Sequence, residues 1–250
     1  VVLSVYFFSH WHWHWPQWGV CMCMYDTQDY WDERYADQGD TPFDWYYGVE
    51  GCLPFVLPHV SPHSKILITG CGNSQLGVYF HAAGFRNIVN LDFSPVLIEK
   101  MKAQYSSCAG MQWVAMDARD MQWAADDFDL VLDKGTWDAV AYRRVPCQMQ
   151  RMLFNVLRVL KVGGKYILIS SWRPHECMPW LATLSTFWNI AHQDIGGWFE
   201  VYILTKRRQV PPDMDPESLG CTPTMMEDDL CSTASALSLE EGWHPGWGPT

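Results

Sequence analysis

The segment Lys65-Ile-Leu-Ile-Thr-Gly-Cys-Gly-Asn-Ser74 constrains the fold of this chain most. Ile66 to Ile68 reads as a buried strand, Gly70 to Ser74 as a tight turn, and Gln75 to Ala83 as a helix. Strand, glycine turn and helix in that order are how an α/β sheet aims backbone N–H groups and a helix N-terminus at a ligand. Glycine lacks Cβ, so backbone and ligand approach closely. The next apolar run, Asn87 to Asp92, ends on an acid about 20 residues further on, the separation of a carboxylate that grips a ribose. The pattern predicts a nucleoside-cofactor site.

A regular alternation follows. Strands are expected at 66–70, 87–92, 111–116, 128–133 and 165–171, with helices at 75–83, 95–105 and 147–160. Ser94 caps the second of these helices with Pro95 at its first position. Phe128 to Asp133 has the mostly apolar run of a strand buried on both faces. Gly163-Gly164 is expected to end the long helix and turn into the next strand. Phe187 to Gln193 and Trp198 to Lys206 flank Gly196-Gly197, a hairpin signal. The whole predicts a doubly wound, seven-stranded α/β sheet, mostly parallel, with one antiparallel strand in a C-terminal hairpin.

The first part of the domain reads as helix and loop. Asp29 is expected to cap a helix through Tyr30 to Ala36, with Trp31 and Tyr35 on one face; that pair is either core or a lid over a flat ligand. A second helix is expected over Gly51 to His59. Residues 1–26 form an aromatic leader outside the core, in which His10, His12 and His14 alternate with tryptophan. The domain proper spans 27–208. An acidic tail rich in Pro, Ser and Gly, 209–250, is expected to be disordered, with a short helix near Leu237 to Trp243.

Composition narrows the functional classes. A net charge of −11 with no basic stripe argues against nucleic-acid binding. Lys161, Lys165 and Lys206 to Arg208 are expected to be solvated strand ends. The nine cysteines are scattered with no CxxC pair, which points to a reducing compartment, the cytoplasm. Cys21 and Cys23 are too few for a zinc site, so no metal is expected. Cys71 reads as a packing residue. No apolar run reaches the ~20 residues of a membrane span.

The cofactor can be narrowed further. A nicotinamide site wants a third glycine where this chain has Gln75, so a mononucleoside fits better than a dinucleotide. S-adenosylmethionine has an adenine, a ribose and a charged amino-acid end, and successive strand ends offer a group for each. Gly70 and Gly72 present backbone to the amino-acid end. Asp92 accepts the ribose hydroxyls and Phe93 packs on the adenine face. Asp117 accepts from the adenine amine while the Ala118 N–H donates to a ring nitrogen. Asp133-Lys134 closes the carboxyl edge of the sheet.

These motifs carry a resemblance. Gly70 to Ser74 and Leu132-Asp-Lys-Gly-Thr-Trp-Asp-Ala139, with Tyr30 to Tyr35, Phe43 to Trp45, Asn87 to Ser94 and Val159 to Tyr166, resemble the methyltransferase-like family that includes the lysine methyltransferases of elongation factor 1-alpha. The similarity runs from about Asp29 to Arg208; Trp137 stands where that family usually has leucine. The resemblance implies S-adenosylmethionine contacts at Trp31, Tyr35, Trp45, Gly70, Asp92, Phe93, Asp117, Ala118 and Lys134. Trp31, Tyr35 and Trp45 would form an aromatic lid and Lys134 would pair with the cofactor carboxylate. It also implies methyl transfer to a protein lysine, with elongation factor 1-alpha as partner. Asp133 and Asp138 are candidates to orient the incoming ammonium. A small-molecule methyltransferase and a non-catalytic binding module of the same fold are the alternatives.

Overall fold

In a computed structural model, residues 24–39, 41–46, 48–195 and 199–215 are described. The histidine leader, the Gly196-Gly197 turn and the Leu237 to Trp243 segment lie outside them.

Seven strands form one sheet: β1 (Ile66–Thr69), β2 (Ile88–Asp92), β3 (Met111–Ala115), β4 (Phe128–Lys134), β5 (Leu160–Ser170), β6 (Trp188–Asp194) and β7 (Glu200–Lys206). Their order is β3-β2-β1-β4-β5-β7-β6. β1 to β5 pair in parallel, and β7 runs antiparallel between β5 and β6. The helices are α1 (Gln28–Asp37), α2 (Val49–Val56), α3 (Leu76–Ala82), α4 (Pro95–Gln104), α5 (Thr136–Ala141), α6 (Pro146–Val159) and α7 (Pro174–Ala182).

Strand alternation divides the apolar residues between two cores, one per face of the sheet. Ile66, Ile68, Leu130, Leu132, Ile167 and Ile169 face α1 to α4, meeting Val56, Phe80 and Ile98. Leu67, Val131, Tyr166 and Leu168 face α5 to α7, meeting Trp137, Leu153, Leu157 and Leu181. On α6 the positions Met149, Met152, Leu153, Val156 and Leu157 make the buried stripe of a 3.6-residue period. Trp137 is fully buried in this second core, so tryptophan for leucine there fills the interior.

Several boundaries differ from those expected. Asp29 lies inside the first turn of α1; Thr27 is the cap residue, its hydroxyl turned back to the Met24 carbonyl at 2.8 Å. α2 starts two residues early and its last turn tightens to a 3₁₀ turn at Leu57–His59, because Pro54 and Pro58 lack the N–H that continues an α-helix. α6 ends at Val159, with extended Leu160 after it, not at Gly163-Gly164. The glycines lie within β5, Gly163 at φ +85°, where the register against β4 shifts. α5 and α7 have no counterpart in the sequence reading. The core also reaches past both expected domain edges: Asp26 is buried, and Val210 and Met214 pack against the second core.

Ion pairs gather where the parallel strands begin. Lys65 pairs with Asp127 at 2.7 Å, Lys161 with Asp129 at 2.8 Å, and Lys206 with Asp126 at 2.7 Å. Lys206, expected at the surface, is fully buried. Its ammonium also donates to the Leu160 carbonyl at 2.6 Å, so acid and carbonyl replace the water that a lysine otherwise needs.

Candidate active site

The opposite, carboxyl edge of the sheet holds a cleft with about 930 Å³ of empty space, mouth included. It forms where the strand order reverses between β1 and β4, the place an open α/β sheet leaves for a ligand. All nine residues named from the sequence line it: Trp31, Tyr35, Trp45, Gly70, Asp92, Phe93, Asp117, Ala118 and Lys134.

The glycine turn is the floor. Gly70 and Gly72 have φ of +51° and +53°, a conformation that glycine adopts without strain. A Cβ on Gly70 would overlap the side chain of Thr136, which is held by a 2.8 Å bond to the Thr69 carbonyl. Gly70 is therefore required by the packing of α5 on β1 as well as by backbone access to the cleft. Gly70→Ala is expected to cost roughly 2–4 kcal/mol of stability from the left-handed φ and the overlap together. Thermal unfolding of the variant checks this. Cys71 is buried and its thiol is pushed well above the usual range by burial, as a packing residue requires.

Asp92 ends β2 beneath the turn. Its Oδ2 accepts the Gly72 N–H and its Oδ1 the Ser94 N–H, each at 3.0 Å. Burial raises this carboxyl to about 6, against the lowering effect of those two N–H groups. Each carboxylate oxygen has a second lone pair, so Asp92 retains acceptor capacity toward the cleft.

The lid is built from α1 and the segment after it. Trp31 and Tyr35 stack at 5.6 Å, with Trp45 edge-on to Trp31 at 6.2 Å. Trp31 and Tyr35 are buried in the first core and also line the cleft. The Trp31 indole donates to the Tyr25 carbonyl at 2.7 Å, and the Ser94 hydroxyl to Asp32. Asp44 ties the lid down: its Oδ1 accepts from Ser74 Oγ at 2.5 Å and from Lys134 Nζ at 2.9 Å.

Four side chains have partners that the sequence did not suggest. Lys134, expected to be free for a cofactor carboxylate, donates to Asp44 and, at 2.9 Å, to the Trp45 carbonyl. Asp117 is held by Arg119, whose Nε lies 2.9 Å from each carboxylate oxygen and whose Nη2 lies 2.6 Å from Oδ2. Asp133 does not line the cleft; it accepts from Thr136 N at 2.9 Å, Trp137 N at 3.2 Å and Tyr166 OH at 3.0 Å. Asp138 likewise turns to Ser171, accepting its N–H at 2.9 Å and its hydroxyl at 2.5 Å. Both acids pin α5 to its flanking strands.

Residues 66–164 match the profile of a methyltransferase domain family. The chain is 32% identical over 196 residues to EEF1A lysine methyltransferase 4 of Mus musculus, covering 74% of this chain and 77% of that protein. The chain belongs to the family of the EEF1A lysine methyltransferases. It is 36% identical over 155 residues to the eEF1A lysine and N-terminal methyltransferase of Bos taurus, covering 60% of this chain but only 22% of that much longer protein. Among solved structures, phosphoethanolamine N-methyltransferase 1 of Haemonchus contortus superposes with a TM-score of 0.56 at 15% identity, over 76% of this chain and 50% of that one. A TehB-like methyltransferase of Corynebacterium glutamicum gives 0.52 at 20% identity, over 72% and 95%. At such identities these two show the fold alone.

Members of this methyltransferase family use S-adenosylmethionine, and the lining residues suit it: a glycine floor, a buried acid at the end of β2, apolar walls and aromatic rings. Arg34, Arg119, Phe43, Tyr25 and Asp26 also line the cleft and were not anticipated. Arg119 was legible in principle, since an arginine two residues after an acid in a strand-end loop can fold back on it. Tyr25 and Asp26 had no such signal beside a biased leader. Among the described residues, no helix is long and apolar enough to cross a membrane.

Proposed function

We propose that this methyltransferase modifies a lysine side chain of a protein, with eEF1A in the cytoplasm as its substrate. The observation that supports this is the similarity to EEF1A lysine methyltransferase 4, which extends over 77% of that protein's length and beyond the shared methyltransferase domain. In this reading Asp92 accepts from the ribose hydroxyls, Phe93 and Ala118 hold the adenine, and Asp117 stands at its amine edge. Trp31, Tyr35 and Trp45 close over the cofactor, and Lys134 keeps them closed through Asp44.

When bound, the cofactor supplies an electrophilic methyl group on a cationic sulfur. The work left to the chain is positioning and exclusion of water, which together are worth effective molarities of about 10⁵–10⁸ M. A lysine amine has an ordinary pKa of about 10.4 and attacks only when neutral. Burial in the cleft and the nearby cationic sulfur both disfavour its charged form and so promote loss of the proton. Asp133 and Asp138 are engaged elsewhere, so neither is assigned the proton.

The test is incubation of the full chain with tritiated S-adenosylmethionine and recombinant eEF1A, beside Asp92→Ala, with the label mapped by mass spectrometry. Label on a lysine that is lost in the variant is expected. Label on the factor's N-terminal amine would replace lysine by the other activity named for the Bos taurus relative. An unlabelled factor beside a lysate protein that does take label would overturn the eEF1A assignment.

A further inference from the structure

Three cationic side chains line the cleft, Arg34, Arg119 and Lys134. Two are neutralised within the protein: Arg119 by Asp117 at 2.6 Å, and Lys134 by Asp44 at 2.9 Å. Arg34 is not. It stands in the last turn of α1, and among the described residues its guanidinium makes one long hydrogen bond, 3.4 Å to the Tyr30 hydroxyl, and no ion pair. It lies instead between ring faces, 5.3 Å from Trp31, 5.3 Å from Phe43 and 5.1 Å from Trp45. A guanidinium carries five N–H donors, and aromatic faces satisfy its charge but not those donors.

Its neighbours fix its position relative to the floor. Tyr35, the next residue, has its hydroxyl 3.1 Å from where a Cβ on Gly72 would stand. Phe43, one of the rings around Arg34, donates its N–H to the Asn73 side chain at 3.3 Å. Arg34 is thus held at the roof of the cleft by the same residues that touch the glycine turn. The turn is the end of the site where the amino-acid portion of the cofactor belongs.

We propose that Arg34, and not Lys134, is the anchor for the carboxylate of S-adenosylmethionine. A planar guanidinium presents paired N–H groups to a carboxylate in a way an ammonium cannot. The three rings flank the guanidinium and partly shield it from water, which strengthens the charge-assisted contact. Lys134 then has a different task, holding Asp44 and Trp45 so that the lid lies over the ligand. The assignment depends on the cofactor alone and is independent of which substrate takes the methyl group.

The test uses two ligands that differ only in the carboxylate: S-adenosylmethionine and its decarboxylated form. Calorimetric titration of the unaltered full chain is expected to show at least about tenfold tighter binding of the carboxylated ligand. Arg34→Gln is expected to lose about 10- to 100-fold in affinity for S-adenosylmethionine while binding of the decarboxylated form changes less than about threefold. Arg34→Lys, which keeps the charge and the stacked stem, is expected to fall between the two. Lys134→Met is expected to weaken both ligands by the same factor, as loss of a lid support does. Equal loss of both ligands in Arg34→Gln would overturn the proposal in favour of a lid-packing role. A selective loss in Lys134→Met would return the carboxylate to Lys134. Absence of any preference in the unaltered chain would overturn the proposal without recourse to a variant.

Discussion

Asp92→Ala is expected to weaken S-adenosylmethionine binding by at least about 100-fold, measured by calorimetry. In the proposed reading two ribose hydroxyls donate to this buried carboxylate; such bonds are worth about 1.5–3 kcal/mol each, and the substitution would remove both. It also strands the Gly72 and Ser94 N–H groups that Asp92 accepts at 3.0 Å, so the glycine turn itself loosens. Asp92→Asn keeps the shape and one acceptor, and is expected to lose less. The pH dependence has a definite sign. Burial holds this carboxyl at about 6, so below that value it is protonated in the free protein and must be ionised to receive the ribose. Affinity is therefore expected to rise up to about tenfold per unit as pH approaches 6 from below, and to level off above it. Asp92→Asn is expected to flatten that slope, and an unchanged slope in the variant would place the titrating group elsewhere.

Asp133→Ala is expected to cost more than about 3 kcal/mol of stability, a drop in Tm on the order of 10 °C. The side chain is fully buried and serves the N–H groups of Thr136 and Trp137 and the Tyr166 hydroxyl. Removing it leaves three donors without an acceptor. Burial raises this carboxyl to about 7, above its value of 3.8 in an unfolded chain. The folded state thus binds the proton more tightly than the unfolded state. The Asp133 contribution to stability is fully present at low pH and is lost as pH rises from about 4 to about 7. A melting series of the unaltered chain beside Asp133→Asn checks the sign: the difference between them is expected to shift in favour of Asp133→Asn as pH rises. A difference that moves the other way would mean that Asp133 is ionised throughout.

Much of this was legible in the sequence because the signals are local. Ile66 to Ser74 contains its own strand, turn and helix start. Ser94 and Pro95 announce α4, and the Ser94 hydroxyl does accept the Leu97 N–H at 3.2 Å. Asp92 is recognisable by its distance from the glycines. What escaped was set by contacts between distant residues or by misleading local chemistry. α5 begins after a glycine at φ +89° and has no cap residue of its own; the carboxylate of Asp133, at the end of the preceding strand, accepts its first N–H groups. α7 carries two prolines in nine residues, and Pro174 at its first position is favourable only once the helix is there. The side-chain partners were harder still. Asp44 and Lys134 are 90 residues apart, and nothing in either segment marks them as a pair. The residues that line the cleft were found, while the partners of Lys134 and Asp117 were visible only in three dimensions.

The ion pairs at the strand starts have a consequence for how such a protein can change. Lys65, Lys161 and Lys206 meet Asp127, Asp129 and Asp126 at one end of the sheet, and every residue assigned to the cofactor lies at the other. Charge at the strand starts can therefore be altered at a distance from the cleft. A lineage moving to a hotter or more saline habitat has a rim of charges to retune without disturbing the methyl-transfer end. For the experimenter, Lys65 and Lys161, the partly exposed lysines of that rim, are the places for a tether or a fluorophore when the cleft must work undisturbed.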